Sequence, residues 1–127
     1  MGQRWTLYQF GMVVNDFCKA ADSDLWDAME ARLATLMEVG NLARMPVSER
    51  IVDSDGIFAL RANADNLQGR LLYFFGPIPG QIIFVHAVDL KRQRKLSSAD
   101  IRQAERNKKL ALADLRGVHA FRVDYTH

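Results

Sequence analysis

Residues 70–88 read RLLYFFGPIPGQIIFVHAV, and this stretch decides the fold of the chain. Two apolar runs rich in aromatic and β-branched residues flank a turn, residues 76–80, that contains two prolines and two glycines. This composition predicts strands at residues 70–75 and 81–88, and the short turn favours their antiparallel pairing. Because the second strand is apolar on both faces, we expect it at the centre of a sheet.

Further strand-like segments lie on both sides of this pair. Residues 4–10 (RWTLYQF) predict a first strand, and a turn at residues 53–56 between residues 51–52 and 57–61 predicts a hairpin. After Gly117, alternating apolar residues leave two alternatives open, an additional strand or a disordered tail.

Two segments have the spacing of helices. The first has an apolar stripe formed by Leu25, Met29, Leu33, Leu36 and Met37, which predicts a helix at Ser23–Val39. The second starts after the capping residue Ser97 and predicts a helix at residues 98–116. Residues 11–22 fit a loop or a short helix. Strands and helices in this order predict an α+β fold, with an antiparallel sheet of four or more strands and helices packed on one face.

Length and composition restrict the class of protein. The chain has 127 residues, 49% of them hydrophobic and 25% charged, which fits one globular domain. We expect this domain at residues 1–117 and a C-terminal extension at residues 118–127. A single cysteine, Cys18, excludes an internal disulfide and a zinc site with two thiolates. The apolar runs are too short to cross a membrane and no signal segment is recognisable, so a cytoplasmic protein is expected.

Charge is distributed unevenly along the chain. Residues 1–60 contain five Lys/Arg and nine Asp/Glu, whereas residues 86–117 contain nine Lys/Arg and four Asp/Glu. The densest run, KRQRK at residues 91–95, has four positive charges in five residues. Such a cluster indicates either a nucleic-acid partner or a solvated loop.

Four sequence blocks in a fixed order resemble a known family. They are DGIFALR at residues 55–61, RLLYFF at 70–75, VHA at 85–87 and KRQRK at 91–95. The series resembles the phage-derived HigB-like branch of the RelE/ParE toxin superfamily, the toxins of type II toxin–antitoxin systems. The chain departs from the family pattern at Ala59, where the family has an acidic residue, and at Leu96 and Ser97, where it has Thr-Pro.

The resemblance implies a RelE-like fold and a definite activity. Such a toxin is a ribosome-dependent mRNA endoribonuclease, or mRNA interferase, that inhibits translation and needs no metal or other cofactor. Its implied partners are a cognate helix-turn-helix antitoxin, mRNA and the ribosome, and no membrane. Two alternatives stay open: a non-catalytic module of the same fold that binds RNA, the ribosome or a protein, and a gyrase-directed toxin.

Metal-free RNA cleavage sets requirements on the site. A group must take the proton of the 2′-OH, another must protonate the leaving 5′-oxygen, and cations must stabilise the charge that develops on the phosphate. Guanidinium groups suit the last role, and histidine and lysine suit proton transfer. With the resemblance, these requirements predict four catalytic residues, Arg70, Arg61, His86 and Lys91. The predicted RNA-binding residues are Arg92, Arg94, Lys95, Arg102 and Tyr73.

Strand alternation qualifies two of these candidates. Tyr73 is three residues from Arg70, so a regular strand turns the two side chains to opposite faces and favours a core position for Tyr73. His86 is expected on the same strand face as Ile82 and Phe84, where a histidine is also a common core residue.

Overall fold

The computed structural model describes residues 4–90 and 95–123, which form one six-stranded sheet and three α-helices. The strands are β1 Thr6–Phe10, β2 Ser48–Arg50, β3 Phe58–Ala64, β4 Leu67–Phe75, β5 Gln81–Asp89 and β6 Val118–Ala120. The helices are α1 Val13–Ala20, α2 Ser23–Val39 and α3 Ser98–Ala113. None of these helices is both long and apolar enough to span a membrane.

The strand order in the sheet is β2-β3-β4-β5-β1-β6. All neighbours are antiparallel except β1 and β5, which run parallel. The predicted α+β class, the β4–β5 hairpin and the near-central position of β5 are confirmed. In the C-terminal tail a strand is formed at Val118–Ala120, where it pairs with β1, and residues 124–127 lie outside the described residues.

The two faces of the sheet carry separate cores. Leu71 and Tyr73 of β4 belong to the core under α1 and α2, whereas Leu72 and Phe74 belong to the core under α3. The expectation of helices on one face therefore holds for α1 and α2, while α3 covers the opposite face. The physical reason is visible in the sequence, because β4 and β5 are apolar on both faces and each face needs a cover.

The β3–β4 hairpin extends beyond its apolar residues into a polar stretch that resembles a loop in the sequence. The two strands are joined by a tight turn at residues 65–66, in which Asp65 has a left-handed backbone (φ 53°). The pairing runs from Phe58 opposite Tyr73 to Ala64 opposite Leu67. β4 therefore starts three residues earlier than predicted, and both strands are longer than their apolar parts.

The hairpin predicted around residues 53–56 is present, but its first strand is Ser48–Arg50 rather than residues 51–52. Ile51 lies outside the strand pairing and closes the turn, because its N–H donates to the Ile57 carbonyl. The Ser54 hydroxyl completes the turn, since it donates to the Ile51 carbonyl and accepts from the Ile57 N–H.

Local caps explain the helix boundaries. The Asp22 side chain accepts from the Asp24 N–H at the start of α2, and Ser97 accepts from the Asp100 N–H at the start of α3. Residues 11–22, for which the sequence allows a loop or a short helix, contain the helix α1. This helix forms because the buried Gln9 side chain accepts from the N–H groups of its first turn. α3 ends at Ala113, three residues before the predicted end, and a 3₁₀ turn follows.

Candidate functional site

The end of the sheet under the start of α3 holds a cleft of about 440 Å³. It is lined by Glu49, Arg50, Ile51, Val52, Arg61, Arg70, Lys95, Leu96 and Ile101. Four of these residues are cations and only one is a carboxylate. The cleft therefore has the charge of a site for an anionic ligand.

Arg70 is the buried centre of this cleft. Its side chain lies on the α3 face with that of Arg61, its direct partner in the β3–β4 pairing, and the residue is 3% exposed. The guanidinium donates to the Gly69 carbonyl at 2.8 Å and to Gln68 Oε1 at 3.1 Å. Burial, and then the charge of Arg61, lower the pKa of Arg70, while Glu49 opposes the shift. Arginine starts from so high a pKa that Arg70 stays charged at neutral pH.

Arg61 forms an ion pair with one carboxylate and has a further N–H donor available. Its Nη1 lies 2.9 Å from Glu49 Oε1. Its Nε is buried and has no hydrogen-bond partner among the described residues. A buried N–H without a partner costs about 1–3 kcal/mol, so this donor favours a bound acceptor in the cleft.

Glu49 is the site residue that the sequence reasoning missed. The first hairpin strand is expected from the sequence at residues 51–52, three residues after its observed start at Ser48, so Glu49 is assigned to no element. In the structure Glu49 is paired with Ala59, so its side chain faces α3 beside Arg61. Residues 47–51 (VSERI) show no alternation of apolar and polar residues, so the position of Glu49 follows only from the strand register.

His86 faces α3 because of a β-bulge. Leu72 pairs with His86 while the next residue, Tyr73, pairs with Phe84, so Val85 is an extra residue on β5. The bulge turns His86 away from the face of Ile82 and Phe84, which corrects the face expected for it.

His86 belongs to a hydrogen-bonded group at the start of α3. Its Nε2 lies 2.9 Å from Asp100 Oδ1, and the Ser97 hydroxyl donates to Asp100 Oδ2 at 2.7 Å. Burial raises the pKa of Asp100, but the hydrogen bonds from His86 and Ser97 and the charge of His86 together lower it more. His86 lies diagonal to Arg70 on the sheet, about 7–8 Å away by strand geometry, and does not line the cleft.

The remaining catalytic candidate, Lys91, and the basic RNA-binding candidates separate into different places. Lys91, Arg92 and Arg94 lie outside the described residues. Lys95 is exposed and lines the cleft. Arg102 is exposed on α3, outside the cleft lining, where it forms an ion pair with Glu105.

Tyr73 lies in the core on the opposite face, as alternation favoured, and this corrects its expected contact with RNA. The residue is 1% exposed, and its hydroxyl shares a hydrogen bond with Ser48. Burial raises the pKa of Tyr73, against the smaller effect of that hydrogen bond. The buried Tyr73 hydroxyl therefore contributes to the packing of this core.

The part of the chain that the structure describes contains no group of three or more His, Cys, Asp or Glu arranged to hold a metal ion. Even without Arg50, whose side chain faces the other side of the sheet, the cleft offers three cations against one carboxylate, a set that suits phosphate and repels metal cations.

Comparison with known proteins places the chain in a family. The model of the phage-derived Gp49-like proteins (DUF891) matches residues 16–109. This match covers well over half of the chain, so the chain belongs to that family, which is RelE-like and related to toxins. No curated protein matches the sequence. The matched residues include Glu49, Arg61, Arg70 and His86.

Proposed function

We propose that this protein is a HigB-like toxin of a type II toxin–antitoxin system and that it cleaves mRNA on the ribosome without a metal ion. The observation that carries the proposal is the cleft in which buried Arg70 and half-buried Arg61 lie beside the carboxylate of Glu49. Family membership supports the toxin class. A cytoplasmic location, a cognate helix-turn-helix antitoxin and the ribosome belong to the same proposal.

The three central side chains match the needs of 2′-OH attack. The Glu49 carboxylate takes the proton of the 2′-OH, whose oxygen attacks the neighbouring phosphorus. Arg70 and Arg61 stabilise the negative charge that develops on the phosphate oxygens. The bond to the 5′-oxygen then breaks, leaving a 2′,3′-cyclic phosphate and a 5′-hydroxyl end.

In this proposal a basic residue at the rim of the cleft donates the proton to the leaving 5′-oxygen. Lys95 lies there, and the proposed donor Lys91 is four residues away in sequence. The other basic residues of the loop, Arg92 and Arg94, would bind flanking phosphates and give RNA affinity its dependence on salt. His86 has a different role in this proposal, since its bond to Asp100 fixes the start of α3 beside the rim.

The arrangement is suited to catalysis because its two arginines are held in place by the sheet and by hydrogen bonds. Arg61 and Arg70 are on adjacent paired strands, and the guanidinium of Arg70 is held by two hydrogen bonds. Preorganised donors of this kind lower a barrier without a reorganisation cost, and removal of one typically slows a reaction about 10²–10³-fold.

The decisive experiment maps RNA ends in cells that express the protein. Wild type should produce new 5′-hydroxyl ends within messages and stop growth, whereas Arg70→Ala should fold, reach the ribosome and produce about 10²–10³-fold fewer ends. Lys19→Ala is the matched control, because Lys19 is an exposed cation on α1, on the other face of the sheet. It should behave as wild type.

Ribosome binding and DNA supercoiling, measured alongside the RNA ends, separate the alternatives. Growth arrest or ribosome binding without new RNA ends would contradict cleavage and identify a non-catalytic binder. Inhibited DNA supercoiling without RNA ends would identify a gyrase-directed toxin. New ends that carry a 5′-phosphate would contradict attack by the 2′-OH.

A further inference from the structure

A second pocket, of about 380 Å³, adjoins the cleft at the β2 edge of the sheet. It is lined by Asn41, Ala43, Arg44, Met45, Ser48, Glu49, Arg50 and Phe58. We propose that this pocket binds a nucleobase of single-stranded RNA, in the nucleotide next to the phosphate held by Arg70 and Arg61. The inference rests on the proposed function and adds a base-recognition subsite to it.

The two pockets share lining residues of β2. Glu49 and Arg50 line both of them. Glu49 faces α3 because it pairs with Ala59, whereas Arg50 faces the other side of the sheet because it pairs with Phe58. A strand of RNA with one phosphate in the cleft therefore passes over the sheet edge and brings a neighbouring nucleotide to the second pocket.

Apolar walls suit the second pocket to a flat ring. The Phe58 ring is fixed by stacking on Tyr73, with centroids 5.5 Å apart, and by an edge contact with Phe75 at 5.1 Å. Met45 is 57% exposed at the same pocket, which is high for a large apolar side chain. Unstacked bases bind to protein surfaces of this kind, because every base has an apolar face.

Polar groups at the rim suit the edge of a base and its phosphate. Arg44 Nη1 donates to the carbonyls of Asn41 and Ala43, which holds its guanidinium in place. Among the described residues, the Asn41 amide and the Arg50 guanidinium have no side-chain hydrogen bond. An amide offers a donor and an acceptor to a base edge, and a free guanidinium binds phosphate or stacks on the base.

Binding of nucleotides is a direct test that does not require catalysis. Protein labelled at its methionine methyl groups is titrated with the four nucleoside 3′-monophosphates and, separately, with inorganic phosphate. At least one nucleotide should shift the Met45 methyl resonance in a saturable way, and inorganic phosphate should not. Met12, 48% exposed next to α1, is the internal control and should not respond.

Two results of this titration would overturn the subsite. A Met45 resonance unmoved by every nucleotide would show that no base enters the pocket. An equal shift with inorganic phosphate would show a site for anions alone.

Cleavage preference gives the second readout. Asn41→Ala and Met45→Ala should reduce the preference for particular bases beside the cut sites by about tenfold, because the first removes a donor and an acceptor for the base edge and the second removes an apolar contact to the base face. Leu42→Ala is the matched control, since Leu42 is 69% exposed but does not line the pocket. It should keep the wild-type preference.

The two failures are distinguishable. If wild type cuts RNA but both pocket variants keep its base preference, the subsite is wrong and the proposed function stands. If wild type makes no RNA ends while nucleotides still shift Met45, the nuclease is wrong and the pocket stands as a nucleotide site.

Discussion

Arg61 and Arg70 lie directly opposite each other on adjacent strands, with both guanidinium groups on the same face of the sheet. Like charges in this position destabilise a sheet. Glu49 compensates Arg61 through an ion pair, whereas the bonds of Arg70 go to neutral oxygens. Two cations placed this close, one of them buried, are therefore costly to the fold, and the pair becomes favourable when an anion binds between the two groups.

This relationship predicts that Arg70 lowers the stability of the fold while it supports RNA cleavage. Arg70→Met keeps an unbranched side chain but removes the repulsion and the buried charge, so the free energy of unfolding should rise by about 1 kcal/mol. RNA cleavage should be lost in the same variant. Urea unfolding measures the first effect and RNA-end mapping the second, with Arg102→Met as the exposed control. A loss of more than about 1 kcal/mol would show that Arg70 serves the fold instead.

Glu49 should affect binding and cleavage in opposite directions. Glu49→Gln removes the negative charge beside Arg61 while keeping the shape of the side chain, so an RNA with a 2′-deoxy group at the cut site should bind several-fold tighter. Cleavage of normal RNA should fall about 10²–10⁴-fold, because the proton acceptor is gone.

Fluorescence anisotropy and single-turnover cleavage on the same RNA measure the two effects. Weaker binding together with normal cleavage would assign Glu49 to structure only. Glu38→Gln is the control, because Glu38 is an exposed carboxylate on α2 that also pairs with an arginine, Arg4.

Features set by local chemistry were predictable from the sequence. The helix Ser23–Val39, its cap at Asp22 and its end at Gly40, where φ is 53°, follow from residues within a few positions of one another. The β4–β5 hairpin also follows locally, since its turn contains two prolines and two glycines between apolar runs.

Features set by strand register were not predictable in this way. Arg61 lies opposite Arg70 because the turn between β3 and β4 has two residues. In the sequence, the polar residues around this turn resemble a longer loop. The orientation of His86 depends on one extra residue, Val85, which no local pattern marks. Glu49 entered the site through its pairing with Ala59, so its position became clear only with the fold.

Tyr73 should contribute to stability and not to RNA binding. Its buried hydroxyl shares a hydrogen bond with Ser48, so Tyr73→Phe should lower the free energy of unfolding by about 1 kcal/mol and leave the buried Ser48 hydroxyl without that partner. RNA affinity should stay at the wild-type value. Ser48→Ala and the double variant complete a mutant cycle, whose coupling energy should be about 1 kcal/mol. A fall in RNA affinity with unchanged stability would return Tyr73 to the binding surface.

Asp100 should make stability depend on pH in the acid range. In the folded protein its pKa lies below the usual range, because the hydrogen bonds from His86 and Ser97 and the charge of His86 outweigh the effect of burial. A carboxyl of this kind contributes its full stability above its unfolded pKa, near 4, and loses it as the pH falls through the lower folded value.

Asp100→Asn should therefore cost about 1–2 kcal/mol at pH 6 and progressively less below about pH 4, where the wild type loses the same contribution. Urea unfolding from pH 6 to pH 2.5 measures both curves. Asp27→Asn removes an exposed carboxylate from α2 and should run parallel to the wild type. Parallel curves for Asp100→Asn and the wild type over this range would show that the bonds from His86 and Ser97 to Asp100 do not hold the start of α3 in place.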